Sequence, residues 1–232
     1  MDRRFWSWHL SALFYERTYN NIAHQLDEDL FSYLGDRTRG ALVVDCGCGP
    51  GIVTQKFLQR EAARVLAVDV NAGMLRQVRL RLADAVSARR VVLVRDSANV
   101  HLFSRLRDQY PDSQGFDIIL FKRSLYVKPE RALAILRAAV TSLRPGGVLV
   151  IVHGERSLRR YAFGPGLGLK HYTLYHLFNR TISTLGEKLG IGDYTLYTQN
   201  ELIDLLRVAS PGQRVELIPS QQRAYNLVAA FG

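Results

Sequence analysis

Cysteine is nearly absent from this chain of 232 residues; the two present are Cys46 and Cys48. A disulfide across one intervening residue would be badly strained, and no third cysteine offers another partner. A disulfide-stapled fold is therefore excluded. No metal-ligand spacing surrounds the pair, so no metal site is expected. Low cysteine use points to a reducing, cytoplasmic setting. No apolar run reaches the roughly 18 residues that a membrane span needs. The N-terminal stretch MDRRFWSWHLSALFYERTYNN opens with arginines, but Ser7, His9 and Ser11 interrupt it and no small-residue cleavage site follows. A short amphipathic helix is expected there in place of a signal peptide. The chain also lacks internal repeats, low-complexity segments, a basic tail and any block of five like charges.

What is present is a balanced globular composition with 47% hydrophobic and 22% charged residues, enough for one domain with a real core. The formal net charge is +10. Such a balance invites an anionic partner, nucleic acid included. The basic excess lies in residues 41–232 and is spread thinly, mostly as arginine on the outer faces of expected helices. A solvated surface explains it as well.

From residue 41 the chain alternates short apolar runs with helical periodicity. ALVVD (41–45), RVLAVD (64–69), RVVLVRD (90–96), FDIILF (116–121) and GGVLVIVHG (146–154) read as strands buried on both faces of a parallel sheet. Met74, Leu75, Val78 and Leu82 predict a helix over 71–86. Leu133, Leu136, Val140 and Leu143 predict another over 129–143, with Pro129 in its first turn and Pro145-Gly146-Gly147 stopping it. Residues 4–36 read as two helices, the second with Ile22, Leu26 and Leu30 inward. A helix is expected from Gln199 to about Val208. VELIPS (215–220) and YNLVAAF (225–231) lie too close together for a crossover, so they should pair antiparallel. The expected fold class is α/β: a doubly wound, mostly parallel seven-stranded sheet. The expected organisation is a helical cap over 1–36, a core over 37–155, a lid insert over 156–197, and a last helix with the strand pair over 198–232.

The stretch VVDCGCGPG (43–51) carries the chemistry. Asp45 ends the first strand, and Gly47, Gly49 and Gly51 follow at alternate positions. In an open α/β sheet, ligands bind beyond the carboxyl ends of the strands. A dinucleotide fingerprint would need glycine where Ile52 stands, and a phosphate loop would need Gly-Lys-Ser/Thr. The spacing D-x-G-x-G-x-G instead resembles motif I of the class I S-adenosylmethionine-dependent methyltransferases. DVNAGML resembles their next motif: Asp69, then Val70, Asn71 in place of serine, and Met74. Asp96-Ser97-Ala98 is similar to their adenine-recognition turn, LRPGGVLVIV (143–152) to their fifth strand, and the final hairpin to their antiparallel pair. Taken singly, Asp69 and Asp96 are ordinary strand-end acids; in this order and spacing they follow the family.

That resemblance implies S-adenosylmethionine as cofactor, S-adenosylhomocysteine as product, and no metal. Asp69 would hold the ribose hydroxyls, Met74 the adenine face and Asp96 the adenine edge with Ser97 and Ala98. The loop from Asp45 through Cys46, Gly47, Gly49 and Gly51 would hold the methionine end, with Lys122 counted in the same set. The N-terminal ALFYERTYNNIA resembles the cap of the ubiquinone/menaquinone-type enzymes, where Tyr15 or Tyr19 would close over the cofactor. Residues 171–206 resemble their lid over a hydrophobic pocket.

Methyl transfer from a sulfonium is an in-line displacement, so the protein must align the reactants, exclude water and remove a proton where the acceptor needs it. The fourth-strand turn reads FKRSLYVKP (121–129). It lacks the N/D-P-P-Y/F of many nucleic-acid enzymes. There is no Asp-Asn metal pair, no cysteine outside motif I and no paired-glutamate loop. The expected acceptor is a small hydrophobic natural product, quinone or lipid-like molecule, methylated on carbon or oxygen. His153 and Tyr126 are the acid/base candidates. Arg123, Tyr126, His171, Tyr172, Tyr175 and His176 are the acceptor-binding candidates, and Lys122, Arg123 and Lys128 would suit an anionic one. Nucleic acid is the disfavoured partner, and a monomer or homodimer is expected. Two rivals stay open: an RNA methyltransferase, and a non-methylating member of the fold that uses bound S-adenosylmethionine in a cyclisation or rearrangement.

Overall fold

A computed structural model describes residues 22–110, 114–154, 195, 197–220 and 225–232. After helix α1 (Ile22–Leu34) and a 3-10 turn come β1 (Leu42–Cys46), α2 (Ile52–Gln59), β2 (Arg64–Asp69), α3 (Ala72–Arg81), α4 (Ala83–Ser87) and β3 (Val91–Arg95). Then follow α5 (Leu102–Asp108), β4 (Phe116–Lys122), α6 (Pro129–Val140), β5 (Leu143–Gly154), α7 (Gln199–Ala209), β6 (Val215–Leu217) and β7 (Tyr225–Phe231).

The seven strands form one sheet in the order β3-β2-β1-β4-β5-β7-β6. β1 pairs in parallel with both β2 and β4, so Val43 lies between Val65 and Ile118. The chain therefore winds outward from β1 to β3, returns to β4 and winds the other way. The reversal between β1 and β4 leaves a crevice above their carboxyl ends, where α/β sheets take ligands. β7 is antiparallel to both β5 and β6, as the short connection after residue 220 requires.

The unbroken apolar strands are explained by burial on both faces. On one face Val43, Ile118 and Val150 pack with Leu26, Leu30, Phe31 and Leu34 of α1 and Phe57 of α2. On the other, Val44, Ile119 and Leu149 pack with Phe103 and Leu106 of α5, Leu136 of α6, and Leu202 and Leu206 of α7. Alternate residues of one strand thus serve two cores. Emptying either is costly; truncating a buried leucine to alanine removes about 2–5 kcal/mol.

Two expected helices end differently. The 71–86 segment breaks at Leu82, whose φ of −123° and ψ of 36° leave the helical region, giving α3 and α4. Leu82 stays buried with Leu75 and Val78, so the apolar stripe survives the break. The helix expected over 129–143 stops at Val140, because Leu143 already belongs to β5. Pro145-Gly146-Gly147 then falls inside that strand, where the β4 pairing shifts register between Phe116 and Ile118. A Cβ at Gly147 would stand 2.6 Å from the Phe116 carbonyl oxygen, so the close approach needs glycine. α7 starts on a capping box: Thr198 Oγ1 accepts from the Glu201 N–H at 3.3 Å, and a Glu201 carboxylate oxygen accepts from the Thr198 N–H at 2.7 Å.

Residues 1–21 of the expected cap, and the expected lid apart from Thr195 and Tyr197, lie outside the described residues. Among the described residues no helix is long and apolar enough to cross a membrane, and no three His, Cys, Asp or Glu side chains gather in a metal-holding group.

Candidate active site

The crevice is built from the end of β1 upward. The Gly47 and Cys48 N–H groups both donate to the Val68 carbonyl, at 2.7 and 3.0 Å, which pulls the chain across the end of β2. Gly47 and Gly51 adopt φ of 75° and 82°. A Cβ on Gly47 would fall 2.4 Å from that of Ser124, and one on Gly51 would press on Val78 at 3.0 Å. These two glycines are needed for packing as well as for dihedral freedom. Gly49 differs: nothing lies within 4 Å of where its Cβ would stand, so its backbone faces open space.

Asp69 closes β2 beside that open loop. One carboxylate oxygen accepts from the Gly49 N–H at 3.0 Å, and the other from the Asn71 N–H at 2.8 Å. Asn71 in turn caps α3, accepting from the Gly73 N–H at 2.8 Å. Burial pushes the Asp69 carboxyl above its ordinary value, and the N–H groups of Asn71, Gly49 and Val70 work against that rise. The two oxygens together offer about four lone-pair sites, so the carboxylate keeps room for a further donor. Met74 is buried on α3, while Val70 is partly exposed. The loop, the carboxylate and the open backbone therefore fit a hydroxyl-bearing nucleoside.

Asp96, just past β3, accepts from the Ser97 N–H at 2.7 Å and is ion-paired with Arg105 of α5. Asn99 adds a long contact at 3.4 Å. Ala98 and Ser97 are half-buried beside it.

Asp45 is 1% exposed. It accepts from the Thr54 hydroxyl of α2 at 2.7 Å. Burial raises its carboxyl to about 6, against the opposing pull of Thr54 and the Lys122 charge. Lys122, the last residue of β4, is also buried. It is ion-paired with Asp27 of α1, which takes Lys56 of α2 at 2.7 Å as well. Asp45, Gly47, Cys48, Pro50, Ile52, Val53 and Lys122 together line the crevice. Cys46 and Cys48 are free and buried; burial first, then the Asp45 charge, pushes both thiols up. They stay protonated and are poor nucleophiles.

After β4 the turn is sharp. Arg123 sits at φ 56°, a left-handed conformation rare outside glycine, and its N–H donates to the Val152 carbonyl at 2.7 Å. Ser124 donates to the Cys46 carbonyl at 2.5 Å, which ties this turn to the glycine loop. The three basic residues of the turn have different surroundings: Lys122 is buried against Asp27, Arg123 is half-buried and Lys128 is exposed at the start of α6.

His153 is fully buried between the rings of Tyr126 and Tyr197, with centroids 5.0 and 5.2 Å away. Its Nδ1 meets the Gly154 carbonyl at 2.9 Å and its Nε2 the Leu125 carbonyl at 3.0 Å. Tyr197 donates to the Val127 carbonyl. His153 and Tyr126, expected as acid/base groups at a pocket edge, thus sit in a bracket joining β5, the fourth-strand turn and the approach to α7. Tyr15, Tyr19, His171, Tyr172, Tyr175 and His176, and the arginines at 156, 159 and 160, lie outside the described residues.

Sequence reasoning passed over Asp27, Lys56, Thr54, Ser124 and Arg105. One signal was available for Asp27. It shares the inner face of α1 with Leu30, Phe31 and Leu34, and a carboxylate on an apolar stripe demands a buried partner.

Comparison with known proteins agrees with the fold. Residues 43–147 match the family model described as a methyltransferase domain. That match covers less than half of the chain. Among curated relatives, the ubiquinone biosynthesis O-methyltransferase of Xanthomonas campestris pv. campestris is 29% identical over 141 residues, covering 60% of this chain and 54% of that protein. The chain spans about half the length of the curated relatives it matches. Two solved structures share the fold. The 1,6-didemethyltoxoflavin-N1-methyltransferase of Burkholderia thailandensis, with bound S-adenosylhomocysteine, superposes with a TM-score of 0.60 at 23% identity, covering 97% of this chain and 85% of that one. The magnesium protoporphyrin IX methyltransferase of Synechocystis superposes with a TM-score of 0.64 at 14% identity, covering 99% and 96%.

Proposed function

We propose that this protein transfers the methyl group of S-adenosylmethionine to a small, hydrophobic acceptor such as a quinone-like, lipid-like or other natural product. The observation that carries the reading is Asp69, braced by the Gly49 and Asn71 N–H groups beside a glycine whose backbone faces open space. The cofactor would supply the electrophilic methyl group. This chain's residues would bind and orient it. Asp69 accepts from the ribose. Asp96, already held by Ser97 and Arg105, accepts from the adenine amine. Val70, Asn71 and Met74 flank the nucleoside. The 45–51 loop, with Asp45 and Lys122, takes the amino-acid end.

The names of similar proteins support a small-molecule acceptor: ubiquinone biosynthesis in one, 1,6-didemethyltoxoflavin and magnesium protoporphyrin IX in the others. We assign His153 a bracing role, because both ring nitrogens already face carbonyls. Proton removal then falls to a group other than His153.

Calorimetric titration with S-adenosylhomocysteine tests the cofactor site; wild type should bind, and Asp69→Ala should not bind measurably at the same concentration. Incubation with S-adenosylmethionine and a panel of phenols, quinols and short RNAs, read by mass spectrometry, tests the acceptor. Methylated RNA in place of a small product would reverse the reading and restore meaning to the +10 charge. Turnover of a panel compound without S-adenosylhomocysteine would favour a rearrangement.

A further inference from the structure

The buried charges around Lys122 come from four parts of the chain. Asp27 lies on α1, Lys56 on α2, Asp45 on β1 and Lys122 on β4. Side chains of Asp27 and Lys122 are 1% and 4% exposed, and Lys56 is 18% exposed. Asp27 touches both lysines, while Lys122 and Asp45 share the crevice lining. An ionised Asp45 makes this set two carboxylates and two ammoniums, so the charges cancel. A ligand end carrying one ammonium and one carboxylate, as a free amino acid does, enters such a set without changing its net charge. Asp45 would face the ammonium and Lys122 the carboxylate.

We propose that Asp27 is a positioning residue for the amino-acid end of the cofactor: by gripping both lysines from α1 it holds the Lys122 ammonium in the crevice wall that also carries Asp45. The inference rests on the cofactor reading above and goes beyond it, because Asp27 lies outside the family match at 43–147. Physical need supports it. Burial pulls Lys122 down to about 8, and Asp27 is the attraction that opposes this; Arg123 and Lys56 repel it further. The Asp45 carboxylate also bears on it. Without Asp27, two ammoniums and Arg123 would face one carboxylate in a dry site, and Lys122 would shed its proton at lower pH.

The test compares two ligands. S-adenosylhomocysteine carries the amino-acid end, and adenosine lacks it. Calorimetry from pH 6 to 9.5 is run on wild type, Asp27→Asn, Asp27→Glu and Lys122→Met. For wild type, S-adenosylhomocysteine affinity should fall above about pH 8 as Lys122 loses its proton. Asp27→Asn should weaken it roughly tenfold or more at pH 7, as loss of a charge-assisted bond implies, and move the fall to lower pH. Adenosine affinity should change less than about twofold, since it makes no bond there. Asp27→Glu should recover most of the loss. Lys122→Met, which can be read even where Asp27→Asn fails to fold, should weaken S-adenosylhomocysteine alone and abolish the fall near pH 8. Equal weakening of both ligands would reduce Asp27 to a structural brace and overturn the proposal. So would an unshifted pH profile in Asp27→Asn. If wild type bound neither ligand, the cofactor reading itself would fail, a result distinct from either of these.

Discussion

The two ends of the crevice are built differently. At the proposed nucleoside end, Asp69 is braced by Gly49 and Asn71, which lie within 20 residues of it. Its partners are backbone N–H groups, and it keeps lone pairs for a ligand. At the proposed amino-acid end, Lys122 is held by Asp27, 95 residues away. There the partners are charged side chains from separate elements, closed around one another. A carboxylate held by backbone groups is a ready acceptor whatever packs above it. A buried charge held by another charge depends on everything that brings the two together, so it links the site to the N-terminal helix.

Predictions can break or sharpen this contrast. The largest effect belongs to Asp69→Ala, which removes charge-assisted bonds to ligand and loop together. Affinity for S-adenosylhomocysteine should fall about a hundredfold or more, and adenosine should weaken equally. An adenosine affinity untouched by this change would erase the distinction between the two ends.

Asp45→Asn comes next and has an opposite sign for stability. The folded-state carboxyl is raised to about 6 from 3.8, so the native protein binds the proton more tightly than the unfolded chain. Ionising it is a penalty that is absent below about pH 4 and complete above about pH 6. Removing the charge should therefore stabilise the protein at pH 7, by about 1–3 kcal/mol, with no gain at pH 4. Denaturant melts at the two values would show it. Ligand affinity should fall at the same time, the stability–function trade expected of a site residue.

His153→Gln should cost about 1–2 kcal/mol in unfolding free energy, through lost hydrogen bonds, and leave the pH profile of turnover unchanged. A general base would instead cost a hundredfold or more in kcat and flatten the profile. Arg105→Ala has the smallest expectation. Its guanidinium is half exposed, so its pair with Asp96 is worth about 0.2–1 kcal/mol, seen as a slight loss of adenosine affinity that grows at low salt.

The same contrast separates what was legible from what was not. Strand identity was plain, because short, nearly unbroken apolar runs such as FDIILF recur between helical patterns, as strands buried on both faces of a parallel sheet do. The glycine turn was plain because its geometry is local: Gly47 and Gly51 must take positive φ within a few residues of Asp45. Helix ends were less so. Nothing near Leu82 announces that the chain leaves the helix there, since Leu82 keeps its buried place; Pro145-Gly146-Gly147 signals a stop, but not that Leu143 is already paired in β5. His153 illustrates the limit for sites. A histidine at a strand end suggests a base, but its partner the Leu125 carbonyl comes from the fourth-strand turn, which only folding brings to it.

By itself the sequence determined a doubly wound sheet, a glycine turn after β1 and carboxylates at three strand ends, because each follows from periodicity or from dihedral freedom over a few residues. Only the tertiary structure decided what those carboxylates do. Asp45 is dried and raised, Asp69 is braced and open, Asp96 is shared with Arg105, and Asp27, on an ordinary helix, grips the Lys122 of the crevice wall. Solvation and distant charge set a carboxylate's chemistry, and neither exists until the elements are packed.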